Sequence, residues 1–416
     1  MDTLTTPLNW EKVRLGDIAE IIGGGTPSTQ ITSFWNGSIN WFMPTEIGIT
    51  KYVYKSQRTI TLLGLKKSSA KLLPIGTILL TSRASIGDCA ILKVVATTNQ
   101  GFQSLIPLEK INNEFLYYLI LTLKNKLLEL ASGSTFLEVS PNKIKNLLIP
   151  LPPLNEQIAI ANVLSDLDHY LYSLDALILK KEGVKKALSF ELLSQRKRLK
   201  GFNQTWQKVR LGDIAEIKRG ASPRPIENPK WFCTNSNVGW VRISDISKNS
   251  RFLYKTAQKL SKKGIEKSRF VKQNSLIMSM CATIGKPIIT KIDTCIHDGF
   301  VVFENPKIDL NYLYYFLCYI EKEWLESGQQ GSQVNLNVDL IKNKEVFCPK
   351  DLNEQIAIAN ILSGLDHEII SLKNKKRQFE NIKKALNHDL MSAKIRVLKK
   401  LTPQKLKANP LFKGNP

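Results

Sequence analysis

The six cysteines in 416 residues form no CxxC pair, which removes the commonest spacing for structural zinc and for dithiol redox chemistry. Cys89, Cys233, Cys281, Cys295, Cys318 and Cys348 are scattered. In the internal repeat set out below, Cys89 falls opposite Pro287, so no metal site is duplicated. Reduced, mostly buried thiols in a cytoplasmic protein are the expectation. Long apolar runs are also missing. Stretches such as Phe115–Leu123 (FLYYLILTL) are too short to cross a bilayer, so no membrane association is expected. The opening MDTLTTPLNW lacks the basic-then-apolar order of a secretion leader. There is no GxxxxGK(S/T) phosphate loop and no Asn-Pro-Pro-aromatic stretch of the kind amino-methyltransferases use. Acidic residues are scarce: 36 Asp and Glu face 59 Lys and Arg, a formal charge of +23. Such a surplus favours a polyanionic partner, nucleic acid first, because neutralised phosphates release their counterions. A basic proteome or simple solubility is the other reading of the charge.

What the chain does have is a repetition. Residues 13–21 and 209–217 both read VRLGDIAEI, and residues 154–162 and 352–360 both read LNEQIAIAN. A period of this length fixes architecture before any local motif does. Two copies make a tandem duplication, not a solenoid. The chain divides into a mixed segment (1–150), a helical one (151–200), a second mixed segment (201–350), a second helical one (351–400) and a loose Pro- and Lys-rich tail (401–416).

The first helical segment follows Pro152-Pro153, which suits a helix start, and Asn155 and Asn353 are the expected N-caps. Apolar residues then recur in heptads. Ile160, Leu167, Leu174, Lys181 and Leu188 make one row, and Leu164, Leu171, Ile178, Lys185 and Leu192 the other. The second copy has Ile358, Leu365, Leu372, Phe379 and Leu386, then Leu362, Ile369, Lys376, Lys383 and Leu390. Seams this long predict a coiled coil, with each helix of about 45 residues running ~65–70 Å. Neither helix has another partner of that length in the chain, so the two are expected to pair with each other. Antiparallel pairing would put the globular domains at opposite ends. Two separate surface helices are the alternative.

The mixed segments read as α/β or α+β. Thr77–Leu80 and Ala90–Val95 flank a turn, SRASIGD, with Gly87 at its sharp point; Ser275–Ser279 and Pro287–Thr290 flank MCATIGK with Gly285. Phe115–Leu130 and Tyr312–Glu326 read as amphipathic helices. Between these landmarks the copies diverge: residues 26–38 share little with 222–238 beyond a proline and a tryptophan. A common scaffold carries different surfaces.

No catalytic constellation emerges. Gly23-Gly24-Gly25 would suit a cofactor loop, but its repeat counterpart is read as Lys218-Arg219-Gly220, so a flexible turn is expected. Asp213, Glu216 and Lys218 could imitate a nuclease carboxylate cluster, yet they crowd into six residues and the first copy has Ile22 in place of the lysine. His169 and His367 hold matching helix positions, read as solvated faces without converging metal ligands.

The order of globular segment, LNEQxAIA helix, globular segment, LNEQxAIA helix resembles the specificity subunit of type I restriction–modification systems. The likeness runs over residues 8–400. It is carried in each half by W..VRLGDIAEI, the S..(S/T)IG turn, the GF pair in Gln100-Gly101-Phe102 and Asp298-Gly299-Phe300, and the LNEQ helix start. One departure is CPKDLNEQ in the second copy, where the first has IPLPPLNEQ. The resemblance implies a non-enzymatic subunit built from two tandem α/β (α+β) target-recognition domains, separated by two long helices paired as an antiparallel coiled coil in a pseudo-twofold repeat. Each domain would read one half of a bipartite, asymmetric site on double-stranded DNA, and the helices would set the unread spacer. The chain would assemble with two modification subunits, methylating adenine with S-adenosylmethionine, and with up to two restriction subunits using ATP and Mg. It would hold no cofactor of its own. Two rivals remain: the recognition module of a self-contained DNA-modifying enzyme, and an RNA-binding scaffold.

Within that reading, DNA contacts are expected from Thr45, Arg83, Ser85 and Gln100 in the first copy and from Arg242, Ser244, Lys286 and His297 in the second, because loops on a rigid scaffold carry function. Arg suits guanine, Gln adenine, and Lys phosphate. For Ser85 and Thr283, capping of the turn is the alternative. Arg83 faces Cys281 across the repeat, so the charge is lost in the second copy, as a specificity-determining position would allow. Asn155, Glu156 and Gln157, with Asn353, Glu354 and Gln355, are expected to form an exposed docking surface for the modification subunits. Identical polar residues at an exposed helix start would otherwise be free to drift.

Overall fold

The computed structural model describes residues 9–133, 137–247, 251–327 and 336–397. The expected tail, 401–416, lies outside the described residues. The chain falls into two units, residues 1–175 with 375–416 and residues 176–374. Each unit therefore contains a globular domain, part of the first long helix and part of the second.

In the first unit a five-stranded sheet runs in the order Ala19–Gly23, Gln103–Pro107, Ile78–Leu80, Cys89–Leu92, Tyr52–Val53. A three-stranded sheet, Arg58–Ile60, Trp35–Phe42, Ala96–Thr98, accompanies it. Side chains alternate across a strand, and here both faces find cover. Ile78, Leu80 and Ile91 join the core with the helix Asn113–Thr122, whereas Leu79, Ala90 and Leu92 join a second core with Phe42, Leu73 and Ala96. Burial on both faces is why these strands read as unbroken apolar runs.

The second unit repeats the plan. Its larger sheet orders Glu216–Arg219, Phe300–Glu304, Leu276–Ser279, Pro287–Thr290 and Phe252–Leu253. The smaller one orders Gln258–Lys259, Gly239–Val241, Thr294–Ile296 and Arg269–Val271. Leu276, Met278 and Ile289 enter one core; Ile277 and Ile288 enter the other.

The expected helices Phe115–Leu130 and Tyr312–Glu326 are each broken in two, at Leu123 and at Ile320, into Asn113–Thr122 with Lys124–Leu130 and Leu310–Tyr319 with Glu321–Ser327. They are not amphipathic at their start. Phe115 through Ile120 are all buried, as are Tyr312 through Leu317, because they sit between the sheet and the long helices.

The long helices span Leu154–Leu193 and Leu352–Met391, 40 residues each, or about 60 Å at the usual rise. They stop short of the expected 200 and 400. Gln195 and Ala393, two residues beyond the last helical residue in each case, are left-handed (φ 62° and 58°), which ends a helix. Every expected seam residue is buried or half-buried, in both copies. The pairing is antiparallel. In the first unit Lys383 pairs with Asp168 and Lys376 with Asp175 (2.6 Å); in the second, Lys185 pairs with Asp366 (2.5 Å) and Lys373 with Glu182 (2.7 Å).

Asn155 and Asn353 are not the N-caps. Each helix begins one residue earlier, at Leu154 and Leu352. In the second copy Asp351 caps instead, its Oδ1 accepting from the Asn353 backbone N–H at 2.8 Å. The glycine run is not a flexible turn either. Gly24 donates its N–H to Phe102 O and Gly220 donates to Phe300 O, so the structural equivalent of Gly24 is Gly220, and the frame expected for the triple glycine was off by one. A Cβ on Gly24 would stand 1.9 Å from Asn99 O, and one on Gly220 2.0 Å from His297 O. Close backbone approach, not flexibility, demands glycine there. The carboxylates of Asp213, Glu216 and Lys218's neighbour Glu304 are structural: Asp213 accepts from the Arg210 backbone N–H (3.2 Å), and Lys218 bridges Glu216 (3.0 Å) and Glu304 (2.5 Å).

Candidate nucleic-acid interface

In the first unit three loops meet beyond the strand ends. The Asn99 N–H donates to Phe42 O (3.1 Å), the Ser82 N–H to Gly101 O (2.8 Å), and the Gly25 N–H to Thr98 O (2.8 Å). The loop 99–101 is thus the hub, with the turn Pro44–Glu46, the turn 81–88 and the Gly24-Gly25 segment around it. Thr45 and Gln100 are exposed there, and the Gln100 amide pairs with the Thr26 hydroxyl. Arg83 is 42% exposed at its side chain and ion-paired with Glu138 at 2.8 Å. Ser85 is different: its Oγ is buried with no hydrogen-bond partner among the described residues. The turn is tied instead by Thr81, whose hydroxyl donates to Ser85 O at 2.6 Å. In the second turn the Ser279 hydroxyl donates to Thr283 O and the Thr283 hydroxyl donates to Ser279 Oγ at 3.3 Å, so Thr283 helps to tie its turn and Ser85 does not. Ala84 and Ala282 occupy the left-handed region at the same place in both turns (φ 59° and 60°), a costly conformation for a residue with a Cβ.

The second unit assembles the same loops with different chemistry. Glu46 and Asp245 hold equivalent turns: Glu46 accepts from the Met43 and Gln57 backbones (2.7 Å each), Asp245 from the Arg242 (2.9 Å) and Ala257 (3.1 Å) backbones. Ser244, the counterpart of Thr45, is exposed. Arg242 replaces Met43 and donates to Gln258 Oε1 at 3.0 Å. Lys286 lies half-buried after the turn.

His297 is more internal than expected. Its Nδ1 accepts from the Gly299 N–H at 2.9 Å, and its ring packs on Trp240 and Phe300. Burial lowers its pKa, and the Arg242 charge adds to this against Asp298. With Nδ1 accepting, Nε2 carries the donor N–H of the neutral ring.

Sequence reasoning missed the arginines around Asp298. Arg219 Nε donates to Asp298 O (2.8 Å), Arg224 pairs with its carboxylate (3.2 Å), and Arg269 Nε donates to Arg219 O (3.2 Å). Burial works against the Asp298 carboxylate, yet the Ser222 hydroxyl, a backbone hydrogen bond, Arg224 and His297 together hold its pKa below the ordinary range. For Arg224 the signal was present in the divergence of residues 26–38 from 222–238, since residues 26–38 contain no arginine; Arg219 and Arg269 lie outside that segment.

The family profile described as the type I restriction modification DNA specificity domain matches residues 7–181 and 203–381. The chain belongs to that family. The MjaIX specificity subunit of Methanocaldococcus jannaschii is 29% identical over 417 residues, covering 94% of each chain. The EcoR124I/EcoR124II specificity subunit of Escherichia coli is 37% identical over a shorter stretch, 37% of this chain and 40% of that one. The crystal structure of an S subunit from M. genitalium superposes with a TM-score of 0.58 at 18% identity, over 94% of this chain and 98% of the other. A structure described as underlying complex assembly of the type I system gives 0.61 at 18% identity, over 93% and 98%.

In this specificity subunit the repeated motifs are architectural. The VRL strands, Glu11–Arg14 and Trp206–Arg210, pair antiparallel with Leu148–Leu151 and Glu345–Pro349. This joins both ends of each domain beside a long helix. The expected exposed docking surface is corrected here for four of its six residues. Glu156, Gln157, Glu354 and Gln355 are buried, at 2%, 1%, 0% and 2% exposure. Glu156 accepts from Trp10 Nε1 (3.2 Å) and twice from Arg396 (2.5 and 2.7 Å). Glu354 accepts from Trp206 Nε1 (3.2 Å) and from Arg198 (3.1 and 2.8 Å). Gln157 accepts from the Asn112 N–H (2.9 Å) and donates to Pro152 O (2.8 Å); Gln355 does the same with the Asp309 N–H and Pro349 O, both at 2.8 Å. These bonds explain the identity of the two copies without any partner. What the motif leaves exposed is Asn155 and Asn353, with Leu154 (46%), Ile158 (42%), Leu352 (52%) and Ile356 (38%), and at its end Asn162 and Asn360. The relatives are named as specificity subunits of type I restriction enzymes. Among the described residues no helix is long and apolar enough to cross a membrane.

Proposed function

We propose that each loop cluster reads one half of a bipartite duplex DNA site, and that the paired helices set the unread spacer between the halves. The observation that carries this reading is the same loop frame bearing different side chains: Thr26, Thr45, Arg83 and Gln100 around residues 99–101, against Arg219, Arg224, Arg242 and Ser244 around residues 297–299, with Lys286 at the end of the neighbouring turn. Two readers on one scaffold suit an asymmetric site, and the +23 charge suits phosphate. Ser85 leaves the contact set because its hydroxyl is buried, and His297 contributes through Nε2 alone. Arg83→Ala should weaken cognate duplex binding by about 1–3 kcal/mol and spare assembly. Titration of the assembled complex against its methylated motif checks this, and unchanged affinity would reject the placement.

The complex is proposed to contain two modification subunits, which bring S-adenosylmethionine, and up to two restriction subunits, which bring ATP and Mg. The exposed faces Leu154-Asn155-Ile158 and Leu352-Asn353-Ile356 are identical in the two units, which fits two copies of one partner. Replacing Ile158 and Ile356 with Glu should convert a 2:1 complex into 1:1 and free subunits in native mass spectrometry. A complex that stays 2:1 places the partner on another surface.

A further inference from the structure

Of the seam lysines, only the pair Lys185 and Lys383 recurs at one repeat position; Lys181 is matched by Phe379 and Lys376 by Ile178. A lysine in an apolar seam costs stability and selects a register. In the first unit Lys383 is ion-paired with Asp168 on the other long helix. The second oxygen of Asp168 accepts from Tyr118 Oη at 2.5 Å, and Tyr118 belongs to the globular domain. Tyr118 Oη accepts in turn from Lys51 Nζ (3.0 Å), which also donates to Ser165 Oγ (3.3 Å) and is ion-paired with Glu114. Asn387, one turn beyond Lys383, donates to Tyr118 O at 3.2 Å.

The second unit rebuilds the junction. Lys185 pairs with Asp366 at 2.5 Å, and Tyr315 Oη donates to Asp366 Oδ2 at 2.7 Å. Arg251 takes the place of Lys51 and donates to Tyr315 Oη (3.0 Å), Ser363 Oγ (2.6 Å) and Asn311 Oδ1 (2.6 Å). The outer cation and its partner differ between copies, Lys51 with Glu114 against Arg251 with Asn311. The Tyr–Asp–Lys core and its serine do not. In both units one carboxylate takes one bond from the partner helix and one from the domain, so the register of the helix pair and the seat of the domain are set at the same group. Apolar packing alone is undemanding about such seats, because hydrophobic attraction is non-directional.

We propose that Lys383, Asp168 and Tyr118, with Lys185, Asp366 and Tyr315, are positioning residues that hold each recognition domain in one seat on its helices and so restrict the unread spacer to one length. This rests on the half-site reading above. The test uses the full chain with its modification subunits. Lys383→Met, Asp168→Leu and Tyr118→Phe are combined, which removes the junction and leaves apolar packing. Adenine methylation is then read by long-read sequencing on duplexes with the native half-sites and spacers one base pair shorter, native and one longer.

Preference for the native spacer should fall about tenfold, a coupling typical of contacting residues, while the half-site bases stay unchanged. Lys383→Arg keeps the ion pair and should keep the sharp preference. The equivalent triple change in the second unit should behave alike and serves if the first variant does not fold. A variant that melts cooperatively, assembles and still methylates the native spacer alone, or that loses activity at all spacers equally, overturns the inference. Failure of the half-site reading is distinguishable, since the wild-type complex would then methylate a contiguous site.

Discussion

Glu156→Ala is expected to destabilise the first unit by about 3 kcal/mol, because removing one member of a buried ion pair strands the other. Glu156 is 2% exposed and is the shared acceptor of Trp10 Nε1 and of both Arg396 bonds. Alanine leaves the indole N–H and the guanidinium without it, and adds a cavity beside Ile160. Urea unfolding of the isolated chain measures the loss, and Glu354→Ala should match it through Trp206 and Arg198. A loss under about 1 kcal/mol for either would mean that the pair is solvated and replaceable. The same reasoning reinterprets any assembly defect of these variants. Fewer bound subunits would follow from a damaged helix start, so stoichiometry must be probed at Ile158 and Ile356.

A second large effect is expected from the helices. Removing one facing heptad from each preserves the seam and shortens the pair by about 10 Å, close to three base pairs of B-form rise. The methylated motif should keep its half-sites and lose about three base pairs of spacer. Methylome sequencing of a host carrying the shortened subunit reads this directly. An unchanged spacer would show that the helices are not the ruler. Inserting a single residue into one helix should instead break the register and destabilise the pairing, because the Lys–Asp pairs and the apolar rows move out of phase together.

The two effects mark the boundary of what was legible beforehand. The seam was readable residue by residue because helical spacing is local information: positions three and four apart share a face wherever the helix ends up. The strands around the SxxSIG turn were readable for the same reason, with Pro287–Thr290 at its expected limits. The exposure expected of Glu156 and Gln157 was misread because their partners are remote. Trp10 and Arg396 lie 146 and 240 residues from Glu156 along the chain. No periodicity announces such a contact, and a polar residue in a first helical turn looks solvent-facing until something covers it. The burial of Ser85 was hidden for the same reason. Its hydroxyl type suits DNA, but Thr81 holds the turn and Ser85 Oγ is buried.

By itself the sequence determined the duplication, the two mixed domains, the paired helices and the family, since all of these depend on order, spacing and identity along the chain. Tertiary structure alone decided which polar residues are structural and which face the loop cluster. It placed Glu156 and Glu354 inside, joined Asp168 and Asp366 to both a lysine and a tyrosine, and gathered Arg219, Arg224 and Arg242 about residues 297–299. The reason is physical. Whether a charged side chain is a surface or a strut depends on desolvation and on the partner that compensates it, and that partner is chosen by the fold, not by its neighbours in the chain.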